Sequence, residues 1–370
     1  MYAFVQGMVV TGLVSSSQTS IQRRFGLSST QSGALFAFYD AVILALLIPM
    51  AHLGGSPTSH KLRWLGFSLL VLGMGSLFWV LAHVASGSTY PLPQSLTPKL
   101  PNPTLASRCP DDSSSDSNLY AMFIVGQLLI GAGAAPLYTL GPAALQMSVD
   151  KHALPLYLGV FYAFASFGPA AGFVLAGVLL TSWVDGGEAP NGLTDSDTAW
   201  VGAYWMGFLL ATILAALVSI PLLLMPRFLP GTDAVRAAAL KSDEAVTQAL
   251  PRGSLFQTCK SIVTTPVWLL STFGSVSESF VVGAVASFLP LLLQQQFALT
   301  PSLAALLTGA AVVPGVVGGT LVGGWYVKRK QADALAIMKM VFVVAFVSFC
   351  SMFFLFIGCD TADVVGVNQP

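Results

Sequence analysis

The chain has 370 residues, of which 55% are hydrophobic and only 9% are charged, and its mean hydropathy is +0.75. Soluble domains carry about 25% charged residues, so the composition excludes a soluble fold and indicates a membrane protein. The 16 basic and 16 acidic residues cancel, which removes the bulk electrostatic basis for binding nucleic acid.

Long apolar runs follow one another along the chain. A helix needs about 20 apolar residues to cross the hydrocarbon core, and in lipid it satisfies its own backbone groups. The sequence therefore predicts an all-α membrane protein. The segments of sufficient length are roughly 1–20, 31–53, 64–85, 119–146, 155–182, 200–226, 266–293, 301–327 and 336–358.

The distribution of Lys and Arg predicts the orientation of these nine spans. With a cytosolic N-terminus, twelve of the 16 basic residues fall in cytosolic segments and four in outer segments. The Ser- and Pro-rich connection at 86–118 is predicted to be a flexible outer loop. The connection at 227–264 is predicted to be a cytosolic linker with a surface helix at 232–250.

A short polar stretch occurs twice. FGLSSTQSGAL at 25–35 joins the first two predicted spans, and FALTPSLAALL at 297–307 joins the seventh and eighth. Two six-helix halves related by a parallel repeat form the major facilitator architecture, which we predict here. The alternative, that polar turns between helices simply look alike, stays open.

The repeat implies a division of the chain. We expect the chain to be incomplete, with about nine of twelve membrane helices present. The predicted units are an N-terminal six-helix bundle (1–226), the cytosolic linker (227–264), the first three helices of a C-terminal bundle (265–360) and the start of an extracellular loop (361–370).

Two ionisable residues lie near the middle of predicted spans, Asp40 and Glu278. A charge at the bilayer centre costs at least about 2.5 kcal/mol, so such residues usually face an aqueous cavity or a partner. Each acid is either a structural carboxylate, paired or protonated, or a cavity residue that couples protons or orients a substrate. The four cysteines lack metal-ligand spacing, and no nucleophile or base cluster indicates an enzyme or a cofactor.

The stretch DTAWVGAYWMGFLL at 197–210 resembles the signature of the organic anion transporting polypeptide family. The sequence departs from that signature at Ala199, where the family has arginine, and at Tyr204, where it has tryptophan. Segments 6–25, 131–141, 157–177 and 280–300 resemble the family's first, fourth, fifth and seventh helices, and the likeness is greatest to the fourth subfamily. The signature positions that we single out are Asp197, Trp200, Gly202, Trp205 and Gly207.

The resemblance implies a multi-pass protein of the plasma membrane that moves amphipathic organic anions without sodium, by alternating access. Steroid conjugates, bile salts, prostaglandins and thyroid hormones would be its cargo. A cysteine-rich Kazal-type loop would follow the ninth helix and is missing here. The resemblance leaves open the oligomeric state and the pairing of Cys109 and Cys359.

The resemblance also suggests roles for single residues. Asp40 and Glu278 fall on acidic positions that similar members carry, and Tyr138 lies in the stretch that resembles the fourth helix. We place these three on the substrate pathway, together with Arg23 and Arg24, which could attract anions by their field at the outer mouth. His83 matches a family histidine associated with pH sensitivity, although a histidine at a helix end is commonly a plain interfacial residue.

Some of the family's charged positions are changed. Leu291 stands where similar proteins have a lysine and Gln294 where they have a glutamate, and Ala199 removes the signature arginine. The chain therefore has fewer positively charged side chains at the positions where the family would contact an anion. A truncated or degenerate paralogue that does not transport is therefore the alternative to a transporter.

Overall fold

The computed structural model describes residues 1–55, 59–87, 117–149, 153–187, 200–226, 264–330 and 334–353, together with positions 189, 193, 194, 197 and 237. Within these ranges the chain is helical almost throughout, and the extended pairing is limited to one antiparallel bridge, between Trp183 and Gly202. Six of the described helices are long and apolar enough to cross a membrane. The predicted all-α membrane fold is confirmed.

Each of the nine predicted spans contains a helix within the described residues. In chain order the elements are α1 (Tyr2–Gly7), a π-helix (Met8–Leu13), α2 (Val14–Phe25), α3 (Ser29–Gly55), α4 (Lys61–Ala85), α5 (Ser117–Ala134), α6 (Leu137–Ser148), α7 (Leu154–Leu179), α8 (Tyr204–Leu224), α9 (Pro266–Phe297), α10 (Pro301–Lys330) and α11 (Ala334–Met352). We call the end of the molecule at which α2 finishes the Arg24 end, and the opposite one the Tyr2 end.

The first span is one continuous helix, which consists of α1, the π-helix and α2. Its π-helical turn lies where the span crosses α7. A Cβ atom built on Gly12 would lie 2.5 Å from the Cα atom of Gly172. Small residues at such a crossing let two backbones touch, which is how helices are held together in lipid. π-helical turns insert one extra residue and recur at functional sites.

Most of the buried core lies within the first six spans, with Ala305 of α10 added to it. Helix α4 packs against α5 and α8. The ring of Trp79 lies 5.1 Å from that of Phe123 and 4.6 Å from that of Phe208, and all three side chains are at most 1% exposed. These aromatic contacts hold α4 between α5 and α8. We call the helices from α1 to α8 the first bundle.

The two repeated turns have the same local structure. Helix α2 ends at Gly26 and α9 ends at Ala298, both in the left-handed region, with φ of 61° and 51°. Two residues later, Ser28 and Thr300 each cap the following helix by accepting a hydrogen bond, at 3.2 Å, from the amide three positions on. The turn geometry agrees with the predicted repeat.

Helices α9 and α10 touch the first bundle at the Arg24 end. The ring centroids of Phe36 on α3 and Phe288 on α9 are 5.6 Å apart, and Leu306 on α10 lies against Gly177 near the end of α7. Among the positions whose burial is described, those that are buried lie in the second half of α9 and in the first ten residues of α10. Towards the Tyr2 end, the described parts of α9 and α10 are largely exposed.

The predicted sixth span, 200–226, begins later than expected, because α8 starts only at Tyr204. The residues just before it are extended, since they pair with the segment that follows α7. The amide of Val184 donates to the carbonyl of Val201 at 3.1 Å. The first part of the signature is therefore a bridged turn and not a helix end.

Other spans also differ in their limits from the prediction. The fourth span is interrupted between α5 and α6 at Pro136, which lacks the amide needed to continue the helix. The predicted surface helix at 232–250 falls, except for position 237, outside the described residues. Cys109 and Cys359 and the loops that contain them also fall outside.

Candidate substrate cleft

A cleft of about 640 Å³ opens between α3 of the first bundle and α9. Asp40 lines it from α3, eleven residues after the start of that helix, which at about 1.5 Å per residue is near the middle of the span. The hydroxyl side chains of α9 that line the cleft are Ser271, Thr272, Ser275 and Ser279. The cleft therefore brings a mid-membrane acid against a polar strip on the facing helix.

The polar groups of this cleft are largely unpaired within the described part of the chain. The exposed carboxylate of Asp40 forms no hydrogen bond or ion pair there. The Ser271 hydroxyl donates to the carbonyl of Trp268 in its own helix, at 2.9 Å. The hydroxyls of Ser275 and Ser279 have no such bond among the described residues, so they can donate to or accept from a ligand.

A chain of hydrogen bonds lies beside Asp40 and crosses three spans. The Tyr138 hydroxyl donates to Oε1 of Gln6 at 3.2 Å, and Nε2 of Gln6 donates to the Tyr39 hydroxyl at 3.0 Å. Tyr138 is 46% exposed, whereas Gln6 is 7% exposed. Tyr138 thus presents its ring outward while its hydroxyl is anchored to the first span.

Of the residues that the sequence predicts for the substrate pathway, Asp40 lines the cleft, whereas Tyr138 does not line it and is linked to Tyr39, the neighbour of Asp40, through Gln6. The sequence analysis did not indicate Gln6, Tyr39 or the hydroxyl strip. A signal for the strip was present, because serine recurs at every fourth position from 271 to 279, and such positions share one helix face. No comparable pattern marks Gln6 or Tyr39, since their contact depends on how three spans pack.

Glu278 is exposed on α9, but it is not among the residues that line the cleft. One step along a helix turns by about 100°, so Glu278 lies to one side of the face that carries Ser279. The structure does not bring the two predicted acids into one cavity. The assignment of Glu278 to the substrate pathway stays a prediction.

The Arg24 guanidinium is held by a polar network at its end of the bundle. Its Nη1 lies 3.1 Å from Oδ1 of Asp185, Nε and Nη2 donate to Oγ of Ser86 at 3.2 and 3.1 Å, and Nη2 donates to the carbonyl of Gly87 at 2.8 Å. The side chain is only 3% exposed. Because Asp185 compensates its charge, Arg24 is a weak source of field for an anion, and its place on the substrate pathway stays a prediction.

The signature residues tie the helices together at the same end. Nε1 of Trp200 donates to the carbonyl of Leu180 at 3.0 Å, and Nε1 of Trp205 donates to the carbonyl of Val184 at 2.8 Å. Nη1 of Arg23 donates to the carbonyl of Trp200 at 3.0 Å, which joins the first span to this turn. These contacts give the tryptophans a structural role.

The remaining signature positions also serve packing. A Cβ atom on Gly202 would lie 2.6 Å from the carbonyl oxygen of Leu180, and one on Gly207 would lie 2.8 Å from a methyl group of Leu13. Asp197 is engaged locally, because its Oδ2 accepts from the Thr194 amide at 2.7 Å. None of these three faces the cleft between α3 and α9.

His83 lies at the Arg24 end, where its ring stacks on that of Trp205. The ring centroids are 5.0 Å apart and the planes differ by 7°. Its Nδ1 atom is buried and has no hydrogen-bond partner among the described residues. Ser86, which binds Arg24, donates to the His83 carbonyl at 2.7 Å. The histidine is thus built into the network, and its role in pH sensing stays a prediction.

A second cavity, of about 810 Å³, lies at the Tyr2 end of the first bundle. Its walls are apolar and aromatic, with Tyr157, Phe161 and Phe164 contributed by α7, and no charged side chain lines it. It offers volume for a hydrophobic group, and the polar side chains in its described lining are hydroxyls, those of Tyr2, Ser148 and Tyr157. The cleft at Asp40 is therefore the candidate site.

The family model for the Organic Anion Transporter Polypeptide (OATP) family matches residues 1–370. The chain is 35% identical over 382 residues to solute carrier organic anion transporter family member 4A1 of Mus musculus, covering 99% of this chain and 52% of that protein. It is 34% identical over 376 residues to member 4C1 of Homo sapiens, covering 99% and 51%. The chain thus spans about half the length of the curated relatives it matches.

Solved structures support the fold. A partially occluded, inward-open structure of the xylose transporter XylE from E. coli aligns with a TM-score of 0.53 and 17% identity, covering 88% of this chain and 72% of that one. A structure of a D-xylose–proton symporter aligns with a TM-score of 0.55 and 17% identity, covering 89% and 68%. At this identity the likeness concerns the fold alone.

Proposed function

The chain belongs to the Organic Anion Transporter Polypeptide family, and from that premise we propose that it moves amphipathic organic anions across the plasma membrane by alternating access, without sodium. Steroid conjugates, bile salts, prostaglandins and thyroid hormones are the proposed cargo. The proposed role is transport and not catalysis, in keeping with the solute carrier relatives.

One observation carries the alternating-access part of this proposal. The contacts between α9 or α10 and the first bundle, such as Phe36 with Phe288 and Leu306 with Gly177, lie at the Arg24 end. Closer to the Tyr2 end, the facing part of α9 lines an open cleft with Asp40. A carrier that is closed at one end and open towards the other has the asymmetry that alternating access requires.

The orientation of the proposed carrier follows from charge. In the predicted topology, twelve of the 16 basic residues belong to the cytosolic segments, which connect the spans on the Tyr2 side, and cytosolic loops are the ones enriched in Lys and Arg. We therefore place the Tyr2 end, with the N-terminus, in the cytosol and the Arg24 end outside. In this orientation the cleft opens towards the cytosol.

Uptake into proteoliposomes tests the proposal. We expect vesicles that contain the chain to accumulate labelled estrone sulfate saturably, at the same rate when choline replaces sodium. Tyr138→Ala should lower the rate, because it removes both the exposed ring and the anchor on Gln6. Val178→Ala on α7 is the matched control, because this residue is 57% exposed and its apolar side chain takes no part in the hydrogen bonds at Gln6.

Uptake no greater than in empty vesicles would contradict the proposal and favour the alternative, a paralogue that does not transport. Uptake that requires sodium would contradict only the sodium-independent part. If Val178→Ala lowered uptake as much as Tyr138→Ala, the result would contradict the assignment of Tyr138 to the substrate pathway.

A further inference from the structure

We propose that the cleft at Asp40 is a subsite for the ammonium group of an amphipathic organic amine or zwitterion. This deepens the proposed function, and it rests on that function in taking the cleft as part of the substrate path. An acid in the path of a carrier for anions needs an explanation, because a carboxylate repels an approaching anionic group.

The chemistry of the cleft favours a cationic hydrogen-bond donor. An ammonium group carries three donors and no acceptor. Asp40 provides a carboxylate that has no hydrogen-bond or ion-pair partner among the described residues, and Ser275 and Ser279 provide hydroxyl oxygens on the facing helix within the same cleft. A bound ammonium would thus donate one charge-assisted hydrogen bond to the Asp40 carboxylate and further hydrogen bonds to the hydroxyl oxygens of the opposite wall.

The described part of the lining adds no competing cation, since it contains no Lys, Arg or His. The remaining described lining residues are Val276, Phe280 and Gly283, which suit the apolar body next to an ammonium group. Within this described lining Asp40 is the only charged side chain, and its negative charge selects against an anionic group at this depth.

A matched series of dansyl probes tests this inference. Dansylcadaverine ends in an ammonium group, 6-dansylaminohexanoate ends in a carboxylate, and 5-dansylaminopentanol ends in a neutral hydroxyl, on bodies of similar size. Dansyl fluorescence reports binding to the chain in nanodiscs, without any need for transport. We expect the ammonium probe to bind the parent chain at least about tenfold more tightly than the carboxylate probe.

Substitutions assign this selectivity to the cleft. Asp40→Asn should weaken the ammonium probe about tenfold or more, since the charge-assisted bond is lost, and leave the neutral probe unchanged. The double variant Ser275→Ala/Ser279→Ala should weaken the ammonium probe by a smaller factor. Ser277→Ala is the matched control, because the Ser277 hydroxyl bonds the Phe273 carbonyl of its own helix at 2.9 Å and does not line the cleft.

Three results would overturn the inference. The first is equal binding of the ammonium and carboxylate probes by the parent, and the second is an equal loss of all three probes in Asp40→Asn. The third is displacement of dansylcadaverine by sodium as effectively as by an organic amine, which would make the occupant an inorganic cation. If uptake in proteoliposomes fails while the charge selectivity in nanodiscs holds, the proposed function fails and the ammonium site stands.

Discussion

Gly26 and Ala298, 272 positions apart, occupy the same place in two equivalent turns and have the same left-handed backbone conformation. At Gly26 this conformation is free of side-chain strain, whereas at Ala298 the Cβ atom crowds the following carbonyl. The two turns therefore share one backbone geometry, but only the turn at Ala298 carries the steric cost of a left-handed alanine.

This inequality predicts opposite effects of two reciprocal substitutions. Ala298→Gly should raise, and Gly26→Ala should lower, the free energy of unfolding by roughly 1 kcal/mol, the cost of a left-handed alanine. Denaturant titration of the purified chain measures both. A stabilising Gly26→Ala would show that the turn at 25–35 relaxes and that the two turns are not equivalent.

The crossing of the first span with α7 depends on glycine. A Cβ atom on Gly172 would lie 2.5 Å from the Met8 carbonyl oxygen and 2.8 Å from the Cα atom of Gly12. Gly172→Ala should therefore destabilise the chain by about 1–3 kcal/mol, the usual cost of overpacking. Thermal unfolding followed by size-exclusion chromatography measures the change.

Gly159, on the same helix, provides the control for this prediction. A Cβ atom there would meet nothing within 4 Å, so Gly159→Ala should be neutral or mildly stabilising through helix propensity. If both substitutions had the same effect, helix propensity and not the close crossing would explain it.

The ion pair between Arg24 and Asp185 should matter for stability, because the guanidinium is buried. Asp185→Asn keeps an acceptor but removes the charge, and we expect a loss of about 1–3 kcal/mol in the free energy of unfolding. Asp197→Asn, in the same connection, keeps its local cap on Thr194 and should change stability by no more than about 0.5 kcal/mol. If Asp185→Asn and Asp197→Asn changed the free energy of unfolding equally, the ion pair with Arg24 would not be what stabilises the fold at Asp185.

Two substitutions test whether His83 senses pH, because its ring stacks on that of Trp205. His83→Gln removes both the titratable group and the ring, whereas His83→Phe keeps a ring that can stack on Trp205. If His83 is the sensor, the uptake rate of both variants should lose the parent's pH dependence. A pH profile retained in His83→Phe would show that the ring, not its titration, is what the site needs.

The parts of this fold that could be predicted are those set by local composition. Nine apolar runs predict nine spans, because a helix in lipid must be apolar over its whole crossing. All nine contain helix among the described residues, and six of the described helices are long and apolar enough to cross a membrane. Asp40 could be singled out from the sequence because an acidic residue within a long apolar run is rare. The equivalence of the two turns could be predicted because Phe, a small residue, Leu and a hydroxyl residue recur in the same order.

The parts that could not be predicted depend on contacts between distant residues. Arg24 and Asp185 are 161 positions apart, and nothing local to either shows that they pair. The π-helical turn at Met8–Leu13 has no sequence signal in an apolar run. The extended start of the signature, at Trp200, was mistaken for helix because its pairing with the segment after α7 is a tertiary contact.

The central claim is that the two bundles separate and close at the Arg24 end, and a reversible cross-link tests it most directly. A Cβ atom on Gly177 would lie 2.5 Å from Cγ of Leu306, so these side-chain positions point at each other. The pair Gly177→Cys/Leu306→Cys, made with the native cysteines replaced by serine, should form a disulfide. The pair Gly159→Cys/Leu306→Cys should not.

We expect oxidation of the Gly177→Cys/Leu306→Cys chain to abolish uptake of estrone sulfate in proteoliposomes, and reduction to restore it, because a locked Arg24 end cannot admit substrate. Complete cross-linking with undiminished uptake would contradict the account, since the bundles would then transport without separating at this end.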